Sequence, residues 1–276
     1  MTRVSRPATG RNITGSRTEP KPQLSDEQWL LIKDLFPEPP VNAAGGRPRV
    51  APRECLEGIL WVLRTGARWK DLPTFLPSPS TCWRRFKEWT EDGVFLEAWQ
   101  RLLEHLDRRK LVVWSEAFGD GTFCPAKKGA PDVGKTKRGK GTKLMLLVDG
   151  NGLPLALDRA SASPAEVKLI ESLLDQRVLP RDPDRLIYDR AADSDPLRTE
   201  LAERQIELIC PHRKNRVKPA TQDGRALRRY RRRWKVERTI SWLFNFRRLV
   251  IRYERYSHLF LGFAQLACVF TLLNKL

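Results

Sequence analysis

The chain has 276 residues, 41% hydrophobic and 30% charged, which is ordinary globular material for one large domain or two small ones. Its 51 Lys and Arg outnumber 33 Asp and Glu, and this net +18 points to a polyanionic partner, placing nucleic acid ahead of a small neutral substrate. Five scattered cysteines with no C-x-x-C pair argue against a disulfide framework and for reduced thiols in the cytoplasm, while three distant histidines make a zinc site improbable.

Residues 1–22 carry Arg3, Arg6, Arg11, Arg17 and Lys21 without an apolar core, so they are expected to form a mobile basic arm rather than a secretory signal. A small helical domain is expected over 23–108. Ser25 reads as the N-cap of a helix DEQWLLIKDLF, stopped by Pro37. Pro52 announces a second helix with Cys55, Leu56, Ile59, Leu60 and Leu63 on one face, ended at Thr65-Gly66. Trp69–Pro73 reads as a packed turn. Ser78-Pro79 opens a third helix, whose apolar Cys82, Phe86 and Trp89 leave Arg84, Arg85 and Lys87 on other faces. That outline suits a helix-turn-helix, and it suits a helical bundle with a solvated basic face equally well.

From 109 to 276 the pattern is that of a mixed α/β layer with helices on a sheet. A strand over 117–123 carries Asp120, and a glycine-lysine loop follows over 127–143. Leu144–Val148 and Leu153–Leu157 read as a hairpin around Asp149-Gly150-Asn151-Gly152. Ser163-Pro164 starts a helix with Glu166 in its first turn. Leu186–Tyr188 is a short strand ending at Asp189. Helix 195–204 and strand 206–210 come next, then one long basic helix over about 225–246. The apolar run Leu259–Leu273 falls short of the roughly 20 residues a membrane span needs, and reads as a buried core helix.

Three acids stand out by context. Asp120 sits between Gly119 and Gly121 inside a strand, where an acid is disfavoured without a task. Asp189 ends a strand. Glu237 lies in the most basic stretch of the chain, with Arg233 one turn before it, Tyr230 two turns before and Ser241 one turn after. Phosphodiester chemistry needs charge neutralisation and an activated oxygen nucleophile, and two Mg²⁺ ions supply both. Mg²⁺ takes carboxylates and water in preference to His or Cys, which suits a chain poor in His and rich in Arg.

At these residues the sequence resembles bacterial insertion-sequence transposases of the DDE class, in the group named after insertion sequence five. The likeness runs from about Leu24 to Lys275 through LSDEQWLLIKDLFPEPP, FGDGTF, KRGKGTKLMLLVDGNGLPLAL, LIYDRAADSDPLR and YRRRWKVERTISWLFNFRRLVIRYER. The spacing Tyr-x-x-Arg-x-x-x-Glu is met by Tyr230, Arg233 and Glu237. The resemblance implies a ribonuclease H-like mixed sheet with flanking helices, preceded by a helix-turn-helix-like domain. It also implies metal-dependent cleavage at element ends followed by strand transfer into target DNA. Asp120, Asp189 and Glu237 are then the catalytic, metal-binding acids, with two Mg²⁺ ions or Mn²⁺ in their place. Tyr230 and Arg233 orient DNA and the third acid. Lys137, Arg138, Lys140 and Lys143 meet phosphates, and Arg84, Arg85 and Lys87 are candidate readers of the terminal inverted repeats. A homo-oligomer on DNA, associated with the nucleoid, is expected.

Two departures bear on that assignment. Phe244 stands where the family often has Lys, a role left to Arg247 or Arg248. Ala191-Ala192 replaces the usual Gly-Tyr, which makes Asp193 a rival to Asp189. The alternatives are a catalytically silent DNA-binding relic or repressor of the same fold, and a nuclease acting on RNA–DNA hybrids.

Overall fold

The computed structural model describes residues 22–37 and 49–276. The basic arm expected over 1–22 lies outside the described residues, apart from Pro22. At Ser25 a reciprocal capping box with Gln28 starts α1 (Asp26–Leu30). The expected single helix ends early: Ile32, Leu35 and Phe36 each donate to the carbonyl three residues back, tightening the chain into a 3-10 turn (Lys33–Leu35) before Pro37. Helix α2 (Pro52–Thr65) begins with its proline and stops at Gly66, whose φ of +70° suits glycine. Ser78 caps α3 (Pro79–Glu91). A helix not expected from the sequence follows, α4 (Val94–Arg108), burying Val94, Phe95, Ala98, Trp99, Leu102, Leu103 and Leu106 at three- and four-residue spacing.

The sheet starts with β1 (Ala117–Pro125). Part of the expected glycine-lysine loop is an arm in which β2 (Gly134–Thr136) pairs antiparallel with the start of β3 (Gly139–Asp149). β3 turns into β4 (Pro154–Ser161), the expected hairpin, and lies antiparallel to β1 along its whole length. β5 (Arg185–Ile187) and β6 (Glu207–Ile209) extend the other side of β1 in parallel. The order β4-β3-β1-β5-β6, with β1, β5 and β6 parallel, is that of a ribonuclease H-like sheet.

Helices α5 (Ile170–Asp175) and α6 (Asp195–Glu203) flank it. The helix expected at Ser163 starts later, because the Ser163 hydroxyl donates instead to the Lys135 carbonyl of the β2 arm (3.3 Å), and a 3-10 turn (Glu166–Lys168) intervenes. The expected long basic helix is broken into α7 (Gly224–Leu227), a 3-10 stretch (Arg228–Arg233) and α8 (Trp234–Phe244). The cause is visible at Glu116, a buried acid just before β1. Arg229, Arg232 and Lys235 converge on it, and residues three apart align on one side of a three-residue helical repeat.

A short α9 (Arg247–Val250) leads to α10 (Ser257–Leu273), nearly all buried as expected. No helix among the described residues is long and apolar enough to cross a membrane. Helix α10 packs on α4, α3 and β4, while α9 packs on α2. Trp99 of α4 donates its indole N–H to the Pro154 carbonyl of β4 (3.1 Å). The two regions expected at 23–108 and 109–276 thus share one continuous hydrophobic core.

Candidate active site

β5 is hydrogen-bonded to β1 only as far as Ile187 opposite Phe118. Two residues further along each strand stand Asp120 and Asp189, and counting on in the same register sets them level. They sit where the strands part, the end of a parallel sheet where ligand sites form. Asp189 caps a 3-10 turn (Arg190–Ala192), its Oδ1 accepting from the Ala191 N–H at 2.8 Å. Both acids are half-buried. Burial pushes the Asp120 carboxyl up to about 6 against the pull of Arg233, with the charges of Glu166 and Asp189 adding to the rise.

The glycines around Asp120 have a steric cause. Strand alternation turns their missing side chains to the face opposite the Asp120 carboxyl. A Cβ at Gly119 would lie 2.6 Å from the Tyr188 ring, and one at Gly121 would lie 2.8 Å from the Glu166 carboxyl carbon. Tyr188, directly before Asp189, donates its hydroxyl to Glu166 (3.2 Å). Lys143 of β3 approaches the other Glu166 oxygen at 3.6 Å and donates to the Pro164 carbonyl. Burial raises the Glu166 carboxyl, Lys143 opposes the rise, and Asp189 adds to it. Glu166, packed behind Asp120 on the other face of β1, is a residue that the sequence pattern does not single out. The only hint of Glu166 is the glycine at 121, 45 residues away in the chain.

Asp193 stands apart from this centre. It accepts from His212 Nδ1 (2.9 Å), the Arg213 backbone N–H (2.8 Å) and Arg198 (3.3 Å), with Arg216 at 3.5 Å. Burial alone would raise its carboxyl, but these donors outweigh it and hold it at about 2. Its lone pairs are taken up in joining α6 to the segment after β6.

Helix α8 is fixed to the β3–β4 turn by Lys235 on the Gly150 carbonyl, Arg238 on that of Asn151 (2.9 Å) and Thr239 on that of Gly152 (2.7 Å). This brings Arg233 across to Asp120, Nη2 to Oδ2 at 2.9 Å, with its guanidinium 5.6 Å over the Tyr230 ring. Glu237, one turn further on, is exposed and makes no ion pair among the described residues. The structure therefore brings Asp120, Asp189, Arg233 and Tyr230 together and leaves Glu237 outside them. Among the described residues no group of three or more Asp, Glu, His and Cys side chains is arranged to hold a metal. The donor chemistry still fits a hard cation at Asp120 and Asp189, because two carboxylates stand level on neighbouring strands and a guanidinium stands in for the positive charge.

The other basic residues divide by burial. Lys137, Arg138 and Lys140 are exposed on the β2–β3 arm. On α3, Arg84 is exposed and Lys87 pairs with Glu91 (3.3 Å). Arg85, expected as a DNA reader, is instead buried, its Nη1 donating to both Glu88 oxygens, because its position on α3 faces the core beside Phe86. Arg248 cannot take the role of the missing Lys. It is buried, pairs with Glu254 (2.7 Å) and donates to the Ala67 carbonyl, whereas Arg247 is exposed.

The sheet order is that of a ribonuclease H-like domain, with Asp120 and Asp189 at its strand ends. Residues 115–272 match the family model described as "Transposase DDE domain", and residues 24–99 match "Putative transposase of IS4/5 family". The chain belongs to the DDE-domain transposase family. Two relatives come from Burkholderia cepacia. "Insertion element IS402 uncharacterized 16.2 kDa protein" is 38% identical over 120 residues, 42% of this chain and 82% of that protein. "Putative transposase for insertion sequence element IS402" is 35% identical over 177 residues, 61% of this chain and 77% of that protein. The piggyBac transposase in a synaptic complex with hairpin DNA shares the fold, at a TM-score of 0.50 and 10% identity, covering 87% of this chain and 69% of that one.

Proposed function

We propose that the protein cuts DNA at the ends of an insertion sequence and joins the freed ends to target DNA, with Asp120, Asp189 and Glu237 as its catalytic acids. The observation that carries this reading is the level placement of Asp120 and Asp189 beyond the paired segments of neighbouring parallel strands, facing an arginine-rich helix that bears Glu237. Asp189 is the second acid, because the Asp193 oxygens are already taken by His212, Arg213 and Arg198. Two Mg²⁺ ions, or Mn²⁺, held by Asp120, Asp189 and Glu237 would activate the attacking oxygen and neutralise the leaving one.

The chain's own groups do the positioning. Water attacks the phosphorus at the element's end, the strand opens, and a 3′-hydroxyl is released. That hydroxyl then attacks a target phosphodiester, displacing the 3′ oxygen of the target strand, so each step exchanges one P–O bond for another. Arg233 and Tyr230 hold the scissile phosphate near Asp120. Lys137, Arg138 and Lys140 track the backbone on the β2–β3 arm, and Lys143 meets it beside the site. Arg84 and Lys87 of the N-terminal helices reach the terminal repeats. Glu237 joins the other acids when DNA and metal are bound, in a homo-oligomer assembled on the paired ends in the cytoplasm at the nucleoid.

Purified protein incubated with end DNA, Mg²⁺ and a target plasmid is expected to nick the ends and transfer them. Asp120→Ala, Asp189→Ala and Glu237→Ala are each expected to abolish both products while retaining DNA binding. Asp193→Asn is expected to lower the melting temperature instead. Wild-type protein that binds its ends and never nicks them overturns the proposal in favour of a silent relic.

A further inference from the structure

Two cations of the DNA-contacting set are not extended towards solvent. The side chains of Arg233 and Lys143 are each only 13% exposed: Arg233 lies on the strand-end acid Asp120 at 2.9 Å, and Lys143 lies on Glu166 of the 3-10 turn, on the opposite face of the sheet, at 3.6 Å. Lys137, Arg138 and Lys140, by contrast, are exposed. The Arg233 Nε is buried without a hydrogen-bond partner among the described residues, so its guanidinium is only partly satisfied where it sits. Arg233 and Glu237 share one face of the chain a helical turn apart, and it is the cation, not the acid, that occupies the place beside Asp120. The 3-10 stretch ending at Arg233 runs for six residues, longer than the usual three or four, as at a hinge between two helical registers.

We propose that Arg233 is an internal counter-ion that holds the metal's place in the DNA-free protein, so that DNA and divalent metal bind cooperatively. The proposal rests on the reading of Asp120 and Asp189 as metal-holding acids. A dication on Asp120 and a guanidinium in contact with the same carboxylate repel each other, and only one can stay. A DNA phosphate offers Arg233 a better anion, releases Asp120 to the metal, and leaves room for Glu237 to approach. By linkage, metal must tighten DNA by the same factor that DNA tightens metal. The arrangement would keep a nuclease centre unloaded until its substrate is in place.

The test is Mn²⁺ binding followed by the loss of the free-ion electron paramagnetic resonance signal, in full-length protein without DNA. Arg233→Gln is expected to bind Mn²⁺ more tightly than wild type, by on the order of 5- to 100-fold, the span of ordinary coupling between sites; Lys143→Gln, on the other face of the sheet, is expected to change it little. Arg233→Lys keeps a charge and is expected to stay near wild type. Arg231→Gln, an exposed neighbour, is expected to change little. Added end DNA is expected to tighten Mn²⁺ in wild type and to have a smaller effect in Arg233→Gln. Unchanged Mn²⁺ affinity in folded Arg233→Gln overturns the proposal, and so does an equal gain in Arg231→Gln. Should Arg233→Gln fail to fold, the effect of end DNA on Mn²⁺ affinity in wild type decides alone, and no tightening there overturns the proposal. An Asp120→Asn protein that binds Mn²⁺ as well as wild type marks instead a failure of the active-site reading.

Discussion

Burial holds the Asp120 carboxyl at about 6, against an ordinary value of 3.8, even with Arg233 in contact. Its folded value lies above its unfolded one, so the folded state holds the proton more tightly. Without metal, stability falls as pH rises from about 4 through 6, and a rise of about two pH units corresponds to about 3 kcal/mol. Asparagine copies the neutral form at every pH. The stability of Asp120→Asn relative to wild type, read from urea melts with a chelator present, should therefore grow by about 3 kcal/mol between pH 4 and pH 7. A difference that does not vary with pH would show that the charge is not buried. Asp120 is legible in the sequence because an acid between two glycines in a strand has few structural excuses. Glu166 is not, because its place depends on a 3-10 turn meeting the bare backbone of Gly121. The choice between Asp189 and Asp193 is open in the sequence for a similar reason, since His212, Arg198 and Arg213 reach Asp193 only in the folded chain.

Elements with strong local punctuation are legible: α2 between its proline and glycine, α3 behind Ser78, the β3–β4 hairpin and the apolar α10. The failures occur where distant contacts set the helical register. Arginines 229 and 232 answer to Glu116 on the far side of the chain's midpoint, and that acid converts an expected α-helix into a 3-10 stretch. Helix α10 shows the same dependence from the other side. Its composition announces burial and says nothing of what covers it, which is the N-terminal helices as much as the sheet. Phe263 stacks on Phe86 with ring centroids 4.0 Å apart and lies 6.0 Å from Trp69. Phe263→Ala should cost about 3–5 kcal/mol. Six of the nine tryptophans lie before residue 108, so their fluorescence reports on the N-terminal helices while far-ultraviolet dichroism reports on the whole chain. Both signals should move to the same lower denaturant midpoint. Separate midpoints would mean that the two regions unfold as independent domains.

At the scale of the whole molecule, the net +18 divides into charge that is neutralised internally and charge that is free. Residues 127–143 carry a net +6 and residues 212–256 a net +13. Much of the second block is used internally: Arg229, Arg232 and Lys235 on Glu116, Arg216 on Asp193 and Asp195, Arg248 on Glu254, and Arg252 buried against Thr142. The first block is largely exposed, and Lys137, Arg138 and Lys140 make no ion pair among the described residues. Free charge is what displaces counter-ions from DNA, so the small arm should contribute more to the salt dependence of binding than its share of the total suggests. Removing one phosphate-neutralising cation lowers the slope of log affinity against log salt by about one. Replacing Lys137, Arg138 and Lys140 together with Gln should therefore reduce that slope by about three, measured by fluorescence anisotropy across the range of roughly 50 to 200 mM salt. Replacing Arg248 and Arg252 should lower stability and leave the slope of the surviving folded protein unchanged. An unaltered slope in the triple variant would move the DNA path off the β2–β3 arm and onto the exposed arginines before α8, Arg228 and Arg231.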